Sequence, residues 1–215
     1  MAKALAKGRV TRERILAAAQ PMVLRQGFAG TSLDDLLKAT SLTKGAFFHH
    51  FGGKAEFARA LAEHYRGNHL ALFEKFAAEA DTASEDPLDA TLAFLKSFEA
   101  FVEARTTPLA GCIYAAYAYQ SRQFDSEVQT LVANGLKSWE ALYEARFDAI
   151  LARYKPKAPA TAAELAEMIV AIVEGGLILS RSYGDAHLVA RQSRQFRNYL
   201  GLLFADREPR PAPQG

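Results

Sequence analysis

Along nearly its whole length this 215-residue chain repeats apolar residues at three- and four-residue spacing, and alternating β-branched runs are absent. That period belongs to the α-helix, at ~3.6 residues per turn, and not to the strand, whose period is ~2. Ala, Leu, Glu, Lys and Arg dominate, and these residues lose little rotamer freedom on becoming helical. An all-α fold is therefore expected. Half of the residues are apolar and 23% are charged. That balance supports a buried core and excludes a disordered, collagenous or disulfide-scaffold chain.

Punctuation residues divide the helical pattern. A first helix is expected from about Thr11 to Gln26, with Ile15, Ala19 and Val23 on its apolar stripe, a bend at Pro21 and Gly27 just past its end. Thr31-Ser32 offers a cap for a short second helix ending near Thr40, with Asp34 and Asp35 in its first turn. Thr43 caps a third, Lys44 to His50, which Phe51-Gly52-Gly53 breaks. Longer helices follow at about 54–80, 88–105, 109–121, 125–154, 161–182 and 186–205. A polar loop at 81–87, an interruption at Thr106-Thr107-Pro108 and a linker-like stretch at 155–159 separate them. The expected domains are a head at 1–53, a larger helical body at 54–205 and a disordered tail at 206–215.

Charge follows the same division. Residues 1–54 hold nine Lys/Arg against three acids, a balance of +6, and the remainder carries −4. A basic head on a mildly acidic body suits a polyanion partner, although charge alone fits a solvated surface equally well. Two short helices joined by a tight turn make a helix-turn-helix. The second must enter a major groove ~12 Å wide, so the residues opening it must be small or hydrogen-bonding. Thr43, Lys44, Gly45 and Ala46 meet that demand. Phe47 and Phe51 would anchor the helix to the core, while His49 and Lys54 have groups that bond phosphate. Thr31 and Thr43 serve equally as plain helix caps.

The run Gly27-Phe28, Thr31-Ser32-Leu33-Asp34-Asp35-Leu36, Leu42-Thr43-Lys44-Gly45-Ala46-Phe47-Phe48-His49-His50-Phe51 and Lys54-Ala55-Glu56-Phe57 strongly resembles the TetR family of transcriptional regulators. The resemblance implies a head that reads double-stranded operator DNA. It also implies a body that forms a homodimer and holds a small-molecule effector whose binding releases the DNA. By this resemblance Thr31 and Ser32 contact backbone phosphate, Thr43, Lys44, Gly45 and Ala46 reach bases or nearby phosphates, and His49 and Lys54 clamp phosphates. Phe48 stands where the family often has Tyr, so it lacks the phosphate-bonding hydroxyl, though its ring can touch a sugar or a thymine methyl. His50 replaces a common aromatic. Gly53 replaces the usual cap before Lys54.

The last two helices are apolar on more than one face, and a face of that kind near a surface calls for a partner. By resemblance they pair with their copies through Met168, Ile172, Gly175, Gly176, Phe196, Tyr199, Leu200 and Leu203, presenting two heads to a pseudo-palindromic site. Packing inside one protomer is the alternative. The middle helices are rich in aromatics, and Phe98, Tyr114, Tyr117, Trp139 and Tyr143 are candidates either for an effector pocket or for ordinary core. The single cysteine, Cys112, excludes an intramolecular disulfide and a Cys-based zinc cluster, and suits a reducing compartment. Expected in the first turn of a helix, it reads either as an effector-site thiol that senses oxidants or as a small packed residue.

No GxSxG, GxGxxG, P-loop or HExxH pattern points to an enzyme, and His64 and His69 are poorly spaced for a metal, so neither cofactor nor metal is expected. The most apolar stretch, Met168 to Leu179, is interrupted by Glu174-Gly175-Gly176 and is shorter than the ~20 residues of a membrane span. A cytoplasmic protein without membrane contact is expected. A helical interaction module that binds no DNA is the remaining rival.

Overall fold

A computed structural model describes residues 2–209. In order along the chain the helices are α1 (Ala2–Gly30), α2 (Leu33–Thr40), α3 (Lys44–His50), α4 (Lys54–Ala83), α5 (Pro87–Glu103), α6 (Ile113–Ala118), α7 (Ser126–Arg153), α8 (Ala162–Tyr183) and α9 (Leu188–Leu203). A single 3-10 turn, Ser121–Gln123, lies between α6 and α7. The described residues contain no strand, only an isolated bridge between Tyr154 and Pro209.

Contacts group the chain into two compact units. One holds the described residues up to Leu70 together with Ala110–Leu136, and the other holds Ala71–Leu109 and the described residues from Lys137 onward. This division differs from a boundary after residue 53, and the reason lies in α6. The hydroxyls of Tyr114 and Tyr117 donate to the α4 carbonyls of Ala62 and Ala58, at 3.3 and 3.2 Å. The Tyr117 ring packs edge-on against Phe28 of α1 at 5.2 Å. The first half of α4 and all of α6 therefore belong with the head.

In the first unit α1 buries Ile15, Leu16, Ala19, Val23 and Phe28. Its one break in helical dihedrals falls at Gly27 (φ 77, ψ 166), while Pro21, where a bend was expected, keeps helical dihedrals. Glu56, in the first turn of α4, reaches back over the start of the helix: its carboxylate accepts the Gly52 N–H at 2.7 Å and ties the Gly52-Gly53 turn to α4.

In the second unit α9 packs on α5 and α8. Glu99, 3% exposed, accepts a two-pronged bond from Arg197 at 2.8 and 3.1 Å. α8 opens on a capping box in which Thr161 and Glu164 bond each other's backbone N–H. The stretch at 155–159 is not a free linker, because Lys155 N–H donates to Glu208 O and Lys157 N–H to Leu203 O, at 2.9 and 2.8 Å. The same bonds correct the expected disordered tail at its start: Arg207 pairs with Asp89 at 2.5 Å and Pro209 bridges Tyr154. The rest of that tail, 210–215, lies outside the described residues.

Candidate nucleic-acid interface

The turn between α2 and α3 closes on Ser41, which takes a left-handed conformation (φ 52) and returns its N–H to the end of α2. Thr43 then starts α3 by accepting the Ala46 N–H at 3.2 Å. Phe47 anchors the inner side, its ring 5.1 Å from Phe51 and 5.3 Å from Phe57. Each such buried ring contributes roughly 2 kcal/mol. With that side fixed, the opposite side of α3 faces solvent. Thr43, Lys44, Gly45, Phe48 and His49 are exposed and Ala46 is half-buried. A Cβ added at Gly45 would meet nothing within 4 Å. The surface at this point is open backbone, as close approach to a base edge requires.

A hollow of about 280 Å³ beside α3 is lined by Thr31, Ser32, Phe48 and Lys54 above a floor of Phe28, Leu33, Leu36, Phe47 and Phe57. The fold thus brings together four of the predicted contact residues from three elements. The Lys54 ammonium stands 5.3 Å over the Phe28 ring, a cation–π contact that limits where the charge can point. The Ser32 hydroxyl donates to Asp35 at 2.6 Å while capping α2. Thr31 donates to Gly27 O at 2.8 Å. His50, half-buried, has its pKa lowered by burial, then by His49 and Arg12 nearby, so near neutral pH it adds no charge to this surface. Arg9, Arg14, Arg25 and Lys38 are also exposed on this unit.

The second unit carries an apolar surface of its own. On α8, Met168, Ile178, Leu179 and Tyr183 are exposed and Ile172 and Gly175 half-exposed; on α9, Tyr199 and Leu202 are exposed. Gly175 and Gly176 differ in what they face. A Cβ at Gly176 would meet the Val189 backbone of the same chain at 3.4 Å, whereas one at Gly175 would meet nothing.

Residues 15–61 match the bacterial regulatory proteins of the tetR family, and residues 87–195 match the C-terminal domain of LmrA/YxaF-like transcriptional regulators. The HTH-type transcriptional regulator LmrA of Bacillus subtilis is 26% identical over 171 residues, spanning 79% of this chain and 86% of its own. The HTH-type transcriptional repressor NemR of Escherichia coli is 42% identical over 65 residues, 30% of this chain and 33% of its own. The crystal structure of a TetR-family regulator from Agrobacterium tumefaciens matches with a TM-score of 0.74 at 22% identity, covering 89% of this chain and 98% of its own. The chain belongs to the TetR family of transcriptional regulators.

As a TetR-family member it carries its helix-turn-helix where the sequence places it, and in the body the residues expected at a dimer surface divide between core and surface. Phe196, Leu200 and Leu203 are 1%, 0% and 4% exposed, and Gly176 is buried against Val189. These four belong to the protomer's own core: α9 turns Phe196, Leu200 and Leu203 inward, and Gly176 of α8 faces Val189 of α9. The apolar surface instead includes Ile178, Leu179, Tyr183 and Leu202. Two interleaved stripes on α8, Leu165-Ile169-Leu177 buried and Met168-Ile172-Leu179 outward, were the signal that could have separated core from surface.

The six candidate effector residues divide between the units. Phe98, Trp139 and Tyr143 pack in an aromatic cluster around Phe73, with ring distances of 5.7, 5.0 and 6.2 Å. Cys112, Tyr114 and Tyr117 lie in the first unit. Cys112 is 6% exposed and stands at the N-cap of α6, with extended dihedrals, because α6 begins at Ile113 and not near 109. Its burial favours the packed reading over a reactive thiol. Tyr114 alone of the six lines a polar hollow of about 310 Å³, with Glu63, Arg66, Glu127, Thr130, Leu131, Asn134 and Gly135. Burial pushes the Tyr114 phenol up to about 12 and raises those of Tyr117 and Tyr143 further. All three are neutral hydroxyls at ordinary pH. Among the described residues no group of three or more His, Cys, Asp or Glu could hold a metal, and no helix is long and apolar enough to cross a membrane.

Proposed function

We propose that this regulator is a cytoplasmic repressor that binds a pseudo-palindromic operator as a homodimer and leaves it when a small molecule binds away from the reading helices. The observation that carries the reading is the outer side of α3. Thr43, Lys44, Gly45, Phe48 and His49 are exposed on a helix whose inner side is locked by Phe47, and Thr31, Ser32 and Lys54 stand beside it around one hollow. Small, hydrogen-bonding and cationic groups on a rigid short helix suit a major groove and its flanking phosphates. The apolar surface of α8 and α9 supports the dimer, since two-fold pairing supplies the second reading head. The polar hollow beside Tyr114 supports a small, hydrogen-bonding effector.

Selection of duplex DNA from a random pool tests the reading. Recovery of a two-fold site, bound with an affinity that falls steeply with salt, is the expected result. A small-molecule panel then looks for compounds that release the recovered duplex. Failure to enrich any duplex in dilute buffer would overturn the proposal.

A further inference from the structure

Gly27 ends the regular part of α1 with φ 77 and ψ 166, a combination essentially confined to glycine. The space a side chain would need there is already filled. The amide nitrogen of Gln120 lies 2.3 Å from the position a Gly27 Cβ would take. The other end of that amide is engaged as well: Oε1 of Gln120 accepts the N–H of Ala29 at 3.1 Å. Gln120 itself is placed by α6 and the turn after it, since its N–H donates to Tyr117 O and its carbonyl accepts the Gln123 N–H, both at 2.9 Å.

What Gln120 holds is the approach to the reading helices. The Gly27 carbonyl accepts the Thr31 hydroxyl at 2.8 Å. Two other bonds within this junction are long: Thr31 N–H to Phe28 O at 3.4 Å and Gln26 Nε2 to Thr31 Oγ1 at 3.5 Å. With two of these three bonds long, the junction takes its position in part from a neighbour that fits it closely. Phe28, inside the same junction, also carries the Lys54 ammonium over its ring.

We propose that Gln120 is a positioning residue for DNA binding: its side-chain amide, seated over Gly27 and bonded to Ala29, sets where Thr31 and Ser32 present the start of α2. This rests on the DNA-binding reading above. Gln120→Leu keeps the bulk and removes the acceptor. It is expected to weaken binding to the selected duplex about tenfold, the order of one lost hydrogen bond, while the melting temperature changes little. Thr31→Val is expected to weaken binding as well. Because both substitutions act through one junction, the double variant should be little worse than the poorer single one. Lys44→Ala serves as the control on the other side of the head. If Gln120→Leu binds like the unmodified protein while Lys44→Ala is impaired, the positioning role is overturned and the DNA-binding reading stands. Strictly additive losses for Gln120→Leu and Thr31→Val also overturn it. An unmodified protein that ignores every duplex removes the reading beneath it. Should Gln120→Leu fail to fold, amide exchange in the unmodified protein decides: Ala29 protected supports the bond, and Ala29 exchanging like an open loop overturns the proposal.

Discussion

Lys44 and Gly45 contribute little to holding the head together, and this makes them informative. The Gly45 position opens onto empty space, so Gly45→Val leaves the fold intact while placing two methyls where a groove floor would be. Binding to the selected duplex is expected to fall at least a hundredfold with an unchanged melting curve. Lys44→Ala is expected to weaken binding across sequences and to lower the salt slope by about one; gel shifts at several salt concentrations measure both. Ser193 is the opposite kind of residue. Its hydroxyl is fully buried in α9 and has no hydrogen-bond partner among the described residues. An unmet buried hydroxyl costs about 1–3 kcal/mol. Ser193→Ala is accordingly expected to stabilise by about 1 kcal/mol, read as a higher urea midpoint at unchanged slope.

Between helices, the contact most exposed to disruption is α5 on α9. Glu99 is almost wholly buried, and its charge is met by Arg197 with Arg194 at 3.7 Å. Removing one member of a buried pair strands the other. Glu99→Ala is expected to cost about 3 kcal/mol, and Arg197→Met added to it should recover part of that loss in urea unfolding. Short helices follow a different logic. α2 and α3 are too short to be stable alone. Their caps at Ser32 and Thr43 set their ends, and burial of Leu36 and Phe47 holds them in place. This is why their bounds were readable from residues 31–54, while α6, expected over 109–121, contracts to Ile113–Ala118. Gly111, at φ 117, takes a backbone conformation that no helix allows, so the helix can start only after the extended Cys112.

For the assembled protein, Leu202 tests the dimer. It is 69% exposed, so Leu202→Glu perturbs no core. Sedimentation of this variant at micromolar concentration is expected to give a monomer where the unmodified chain gives a dimer, with weaker binding to a two-fold duplex. Stability as a whole should also depend on acid through His69. Burial pushes its imidazole down to about 4 from 6.5 in the open chain. Between those values the unfolded chain binds more protons than the folded one, so stability rises with pH there. It is fully present above ~6.5 and lost as pH falls toward ~4, by roughly 3 kcal/mol at most. His69→Gln should flatten urea midpoints across that window, and an unaltered profile would show that other groups govern it.

Periodicity, caps and glycines sufficed to make the all-helical fold and the reading helices legible, because these signals act over a few neighbouring residues. The same local reading set Thr43, Lys44, Gly45, Ala46, Phe48 and His49 apart from the core anchor Phe47 on one short helix. It could not tell the two apolar faces of α8 and α9 apart, since Leu200 and Leu202 are equally apolar and only packing against α5 and α8 makes one of them core. Nor could it pair Gln120 with Gly27, which lie 93 residues apart: a glycine spares room for whatever arrives from elsewhere, and its letter does not say what that is. Burial and long-range contact are properties of the folded chain, and they decided which aromatic residues are filling, which are surface, and which amide steadies the head.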